Sequence, residues 1–389
     1  MNARSPGRHF LQIPGPTNVP LRVLQATAEP TIDHRGPDFA DLTRSVLAGM
    51  QRVFRTAGPV VIYAASGTGA WEAALVNALS PGDAVLMVRT GWFATLWHEM
   101  AIALGLDPIL LETDWRRGAD PAAIAAALRA DTAHRIKAVC VVHNETSTGA
   151  TSPIPAVRAA LDAERHPALL MVDTISSLAS MEYRHDDWGV DVTVGGSQKG
   201  LMLPPGLSFN AVSAKALAAA GKVRRPRCYW DWQRTVEANA GFAFPSTPAS
   251  NLIRGLKEAI AMLEEEGMAN VFARHARHGA ATRAAVRAWG LETQCAEPRD
   301  YSASLTAIRL PEGHSADALR ALILRRFDMS LGNGLGPLKD RVFRIGHLGD
   351  FNDLMLVGTL GGVAMGLREA GIPHGTGGVD AAMAVLSEG

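Results

Sequence analysis

Three short segments of the chain combine residue types that could do chemistry together. The first, Ala65-Ser66-Gly67-Thr68-Gly69-Ala70-Trp71-Glu72, follows an apolar run over 60–64. A glycine-punctuated turn from strand to helix leaves backbone N–H groups free at the positive helix end, where phosphate binds, and Ser66 and Thr68 could add hydroxyl donors. Glycine and serine also make ordinary tight turns. The segment is neither a Walker loop, which ends in Gly-Lys-Ser/Thr, nor the full dinucleotide pattern. The second, Leu169-Leu170-Met171-Val172-Asp173-Thr174-Ile175, carries a carboxylate at the C-terminal end of an apolar strand, the edge where open parallel sheets bind ligands. A buried Asp173 needs a partner; it reads either as a cap on the next turn or as the counter-ion of a protonated ligand nitrogen. The third, Gly195-Gly196-Ser197-Gln198-Lys199-Gly200, sets a lysine in a glycine-flanked turn before the apolar stretch 201–207. Desolvation by that flank lowers a lysine's pKa and makes it a nucleophile toward a carbonyl. The alternative is a solvated surface lysine.

Taken together the segments are more specific than any one alone. A phosphate turn, an acid at a strand end and a lysine 26 residues later are what pyridoxal phosphate requires. It needs a phosphate cradle, an acid partner for its pyridine nitrogen and a lysine to bond its aldehyde carbon.

The elements that must position these residues are legible in the hydropathy pattern. Short β-branched runs at 60–64, 84–88, 108–111, 137–143, 168–173, 191–194 and 207–212 alternate with Ala-rich amphipathic stretches at 39–54, 69–78, 93–104, 121–128 and 154–163. That alternation predicts an α/β fold with a mostly parallel sheet flanked by helices. The strand spacing is too uneven for an eightfold barrel. From about residue 250 come two long helices, 251–267 and 271–289, with His275 and His278 expected on the exposed side of the second. Isolated strands at 304–310 and 342–345, a helix at 316–326 and a glycine-rich loop at 331–337 follow, which predicts a smaller C-terminal α+β domain. The expected division is an N-terminal arm over 1–20, a large cofactor-binding domain over 21–265 and a small domain over 266–389.

Composition narrows the function classes. The 389 residues are 47% hydrophobic, and 38 Lys+Arg balance 38 Asp+Glu, which argues against a disordered chain or a nucleic-acid binder. No run approaches the ~18–20 apolar residues of a membrane span. The start lacks a secretory apolar run, and the end, Leu386-Ser387-Glu388-Gly389, is not a peroxisomal address. Three scattered cysteines, Cys140, Cys228 and Cys295, suit a reducing compartment rather than a disulfide framework. The expectation is a cytoplasmic enzyme. His143 and Glu145 lack a third ligand at metal spacing, so no metal is expected. The cluster Tyr229-Trp230-Asp231-Trp232 reads as interface or substrate-mouth packing.

Over nearly its whole length the chain resembles the fold-type I, class V aminotransferases, and among them the glyoxylate-accepting members. The likeness runs through Ile13-Pro14-Gly15-Pro16-Thr17-Asn18-Val19-Pro20, Thr31-Ile32-Asp33-His34-Arg35, Ser66-Gly67-Thr68-Gly69 and His143-Asn144-Glu145-Thr146-Ser147-Thr148-Gly149. It continues through Val172-Asp173-Thr174-Ile175-Ser176-Ser177 and Gly196-Ser197-Gln198-Lys199-Gly200 to Phe343-Arg344-Ile345-Gly346-His347-Leu348-Gly349. The resemblance implies that Lys199 bonds the cofactor, Asp173 faces the pyridine nitrogen and Ile175 packs beneath the ring. It implies that Ser66, Gly67, Thr68 and Gln198 hold the phosphate, that Thr146 contacts the ring's 3-oxygen and that Phe93, rather than the adjacent Trp92, stacks on the ring. Arg344 matches the clamp for the substrate carboxylate, a task that suits a planar, two-pronged guanidinium. Thr247 matches a residue that reaches the neighbouring subunit's phosphate, which implies a homodimer with active sites at the subunit interface. The tyrosine that accompanies it in the family is missing here: Phe244 stands three residues before Thr247 and Ser246 one before it, and neither is a tyrosine.

The activity implied is transamination between a small amino acid and a 2-oxo acid, from L-serine to glyoxylate, giving hydroxypyruvate and glycine. Alanine, aspartate and ureidoglycine are alternative donors. Cysteine desulfuration, another activity of the class, is excluded because no cysteine falls within 331–337. A non-catalytic phosphate-binding regulator would keep the Ser66–Gly69 turn but have no use for Lys199 set opposite Asp173.

Overall fold

Apolar runs without alternation form strands whose two faces are both covered, and they occupy that position in the computed structural model, which describes residues 6–388. The first five residues of the expected arm and the last residue of the expected small domain lie outside the described residues. Seven strands form one sheet in the order Val60–Tyr63, Ser208–Val212, Val192–Gly196, Leu169–Asp173, Ile136–Val142, Ala84–Arg89 and Asp107–Glu112. Neighbours are parallel except Ser208–Val212, which runs antiparallel to both strands beside it. Successive side chains point to opposite faces. Val139, Val141, Leu170 and Val172 enter one core, and Cys140, Val142, Leu169 and Met171 the other. Helices Pro37–Phe54 and Ser250–Glu266 close the first core, and Gly67–Ala78 and Trp92–Ala103 the second.

This topology decides where the chemistry sits. Asp173 stands opposite Val194 on the adjacent parallel strand, so the turn carrying Lys199 begins beside it. Two antiparallel pairings relate Val60–Tyr63 to Val192–Gly196, so those two strands run the same way. The Ser66 turn therefore leaves the sheet at the same edge.

A second sheet follows the order Phe10–Gln12, Met329–Asn333, Val342–Gly346, Leu305–Arg309 and Glu292–Thr293. Its first pair is parallel and the others are antiparallel. The glycine-rich stretch at 331–337 is therefore only partly a loop. Gly332 pairs with Arg344, and a Cβ there would lie 2.7 Å from the Pro14 ring and 3.0 Å from the Arg344 Cβ. The glycine is a strand residue that makes room for its neighbours.

Three expectations are corrected. His275 and His278 are fully buried, not exposed. His275 Nδ1 donates to the Val271 carbonyl (2.7 Å) while Nε2 accepts from the Gly349 amide (3.1 Å), and His278 Nε2 meets Asp353 at 2.8 Å. The cause is a pair of helices, Asp353–Glu369 and Gly378–Ser387, that pack over this face. Their Gly/Ala-rich, nearly uniformly apolar sequence carries too little 3.6-residue contrast to be read. Trp232 is core rather than mouth: it is fully buried, with Nε1 donating to Asn210 Oδ1 at 3.1 Å. Asp231 caps the helix Trp232–Ala240 that follows. Only Tyr229 of that cluster is well exposed.

Candidate active site

Helix Gly67–Ala78 starts at Ser66, whose extended backbone (φ −99°, ψ 177°) carries no side-chain cap bond among the described residues. Ser66 and Thr68 are exposed and Gly67 is buried. The leading amides of a helix have no intrahelical partner, so here they remain available to an anion. A Cβ on Gly196 would lie 3.2 Å from Gln198 Oε1 and 3.7 Å from the Gly67 nitrogen. The Gln198 side chain and the helix start thus meet over one strand end. Gln198 Oε1 is buried without a hydrogen-bond partner among the described residues. Ile175 packs its side chain against Gly67, where a Cβ would overlap it.

Asp173 is buried, with Oδ1 accepting from the Ile175 amide (2.7 Å) and Oδ2 from Trp71 Nε1 (3.0 Å). Burial pushes its carboxyl up to about 7 and Glu145 pushes the same way, against the Ile175 amide, Trp71 and Lys199. Lys199 is also buried, its Nζ donating to the Pro14 carbonyl at 2.6 Å. Burial and the charge of Arg344 lower its amine to about 8. Gly15 lies directly on this lysine with φ +96°, and any Cβ there would overlap the amine. The lysine is thus desolvated rather than solvated, with Pro14 and Gly15 of the N-terminal segment lying on its amine.

The β-hairpin Asn144–Glu145 and Ala150–Thr151 gathers the remaining groups. Glu145, fully buried, accepts from the amides of Phe93 (3.3 Å), Ala94 (3.1 Å) and Ser147 (3.1 Å), while Ser147 Oγ accepts from the Trp92 amide (2.9 Å). One carboxylate and one hydroxyl therefore cap the helix Trp92–Ala103 and fasten Phe93 to the loop. Gly91 makes this possible, since a Cβ there would overlap the Glu145 side chain. Between these two residues, Thr146 Oγ1 donates to Ser176 Oγ (2.7 Å), and its carbonyl accepts from Arg344 Nη1 (2.8 Å). Ser147→Ala should lower stability by about 1 kcal/mol, the usual cost of a lost cap. A urea midpoint that falls with an unchanged slope would show it.

Arg344 is 6% exposed, and its other bond runs from Nε to the Asn333 carbonyl (2.7 Å). Asp340 and Asp328, which precede its own strand and the adjacent one, bond Ser315 and His9 rather than Arg344. The guanidinium is held by two backbone carbonyls, which orient it without neutralising it. Phe93 and Trp92 diverge. Phe93 lies beside Trp71 (ring centroids 6.5 Å), whereas Trp92 packs on the turn at Gly336. Thr247 is exposed and lines a groove with Ala64, Tyr229 and Phe244, and Phe244 packs against Phe39 (6.1 Å). Among the described residues no hydrogen bond joins Thr247 to the buried cluster.

Sequence reasoning does not single out Trp71, Ser147, Ser176 and the Pro14 carbonyl as working groups, and it expects Glu145 only in a structural role beside Thr146. Trp71 carried a signal, since it follows Gly67 by one helical turn and so shares its face. The others are partners that only tertiary contact supplies.

These residues fit pyridoxal phosphate. Free helix amides with hydroxyls and an unpartnered glutamine suit a phosphate, a buried acid suits a pyridine nitrogen, and a desolvated lysine suits an aldehyde. A mostly parallel α/β sheet with this set at its C-terminal edge defines the fold-type I pyridoxal-phosphate transferases. The chain belongs to the family described as Aminotransferase class-V, which matches residues 9–336. It is 48% identical over 392 residues to the serine–glyoxylate aminotransferase of Methylorubrum extorquens, covering 99% of this chain and 98% of that one. It is 45% identical to the L-aspartate–glyoxylate aminotransferase of Paracoccus denitrificans, over 93% and 91% of the two chains. Among solved structures, the pyridoxamine–pyruvate aminotransferase from Mesorhizobium loti superposes over the full length of both chains with TM-score 0.92 at 29% identity. The chain is an aminotransferase. No helix among the described residues is long and apolar enough to cross a membrane.

Proposed function

We propose that this aminotransferase moves the amino group of L-serine to glyoxylate, giving hydroxypyruvate and glycine. The observation that carries the reading is the convergence of Lys199, Asp173 and Arg344: the charges of the other two act on Lys199, and the guanidinium is hydrogen-bonded to backbone carbonyls rather than to a carboxylate. The 48% identical relative supports serine as the donor.

Pyridoxal phosphate, when bound, supplies an electron sink for the charge left as an amino acid's α-proton departs. Ser66, Gly67, Thr68 and Gln198 would hold the phosphate, and Asp173 would keep a proton on the pyridine nitrogen. Ile175 and Phe93 would pack on the ring, and Thr146 would contact its 3-oxygen. Arg344 takes the substrate carboxylate with donors its two carbonyl bonds leave free, and so fixes which substrate bond faces Lys199. Lys199, held near 8 by burial and Arg344, would take the α-proton on Nζ and hold it there for return, acting as base and then as acid. Thr247 would reach the phosphate of the partner subunit, which makes the working form a homodimer, with 21–265 as the cofactor-binding domain and 266–389 as the small one; the enzyme works in the cytoplasm.

A donor panel with glyoxylate as acceptor tests this by glycine produced. Serine should give the highest kcat/KM; a faster reaction with alanine, aspartate or ureidoglycine overturns the donor, and no glycine from any of them overturns the acceptor. The lysine adds a pH test. Unprotonated amine is needed to bond the cofactor, so uptake by the cofactor-free chain should quicken about tenfold per unit below pH 8 and level off above it. A stopped-flow record of the visible band that is flat between pH 6 and 9 would contradict the assignment.

A further inference from the structure

We infer that Trp71 is a positioning residue for Asp173: its indole N–H holds one carboxylate oxygen, so that the acid presents a fixed edge to the cofactor's ring nitrogen. The inference rests on the reading of Asp173 given above. The indole nitrogen has a single function, donation, and Nε1 lies 3.0 Å from Asp173 Oδ2 across 102 residues of chain. The ring is 2% exposed, stacks on Trp97 (centroids 5.9 Å, planes 13° apart) and has Phe93 tilted beside it (centroids 6.5 Å). A buried ring stacked in this way is held with its N–H on Asp173. The Ile175 amide holds the opposite oxygen at 2.7 Å. Two donors on two oxygens fix the carboxylate plane, and one oriented edge is left for a ligand nitrogen.

Trp71 also offsets an unfavourable setting. Asp173 is faced by Glu145, which opposes its ionisation, and by Lys199, which favours it. His143, whose amide bonds the Asp173 carbonyl, is held neutral by burial, which lowers its imidazole to about 4. Burial alone drives the Asp173 carboxyl toward neutrality, and a neutral acid does not keep a pyridine nitrogen protonated. The Trp71 and Ile175 N–H groups favour the charged form.

Trp71→Phe keeps an aromatic ring in the stack and removes the donor. In the cofactor-loaded enzyme the acid limb of the kcat–pH profile should move up by about one unit, giving roughly tenfold lower kcat on that limb. KM for serine should change less than about twofold, because Arg344 is untouched. A merely structural Trp71 would lower the melting temperature and leave the profile in place, and that result would overturn the proposal. A second measurement needs neither turnover nor a folded variant at position 71. In the full chain labelled with ¹⁵N-tryptophan, one of eight indole resonances should follow the protonation of Asp173 and lose that response in Asp173→Asn. An unresponsive set of indoles overturns the role of Trp71. Normal turnover by Asp173→Asn instead overturns the functional reading beneath it.

Discussion

Lys199→Ala is expected to fold, to keep its phosphate cradle and to lose transamination by on the order of 10⁴-fold, the upper range for removing a positioned acid–base group. The reason is geometric. Nζ sits at the junction of Pro14, Gly15 and the Asp173 strand end, buried enough to hold its amine near 8. No substitute can be recruited, because the space beside it is closed by Gly15 and the backbone of the N-terminal segment. The Ser66 turn and Gln198 do not depend on the lysine side chain, so equilibrium dialysis should still detect cofactor uptake. The check is glycine formation by purified variant without added amines. Turnover within tenfold of the parent enzyme would remove Lys199 from the mechanism.

Arg344→Lys should lower kcat/KM for serine and glyoxylate together by about 100-fold, or ~2.7 kcal/mol of transition-state stabilisation. Lysine keeps a charge but has no planar fork, so it cannot bond the Thr146 and Asn333 carbonyls and still grip a carboxylate with parallel donors. Because both substrates carry that carboxylate, the two half-reactions should suffer alike. A loss confined to one substrate would place the carboxylate site elsewhere. Among the described residues no carboxylate bonds Arg344 directly: Asp328 and Asp340 are engaged with His9 and Ser315, and Glu145 acts on it only through its charge, which a lysine would still meet. The variant should therefore melt close to the parent.

What was legible in the sequence follows one rule: information confined to a few neighbouring residues. The central strands are visible because both faces are buried and the run is apolar throughout, as at Leu169–Asp173. The phosphate turn, the strand-end acid and the lysine are visible because each is a local grouping of residue types with a chemical use. The family likeness of those segments then joined them into one site. The tertiary structure alone decided what satisfies each buried polar group. Trp71 on Asp173, Glu145 on the Phe93 amide, Thr146 on Arg344 and Pro14 on Lys199 are separated by 102, 52, 198 and 185 residues. Hydropathy reports which face a residue turns inward, not what it meets there. For the same reason His275 and His278 looked solvated until Asp353–Glu369 and Gly378–Ser387 packed over them, and Phe10–Gln12 became a strand only when Met329–Asn333 offered it an edge. A sequence carries a residue's chemistry and its local face; the cost of burying that chemistry unpaired selects the partner, and the partner exists only in the folded chain.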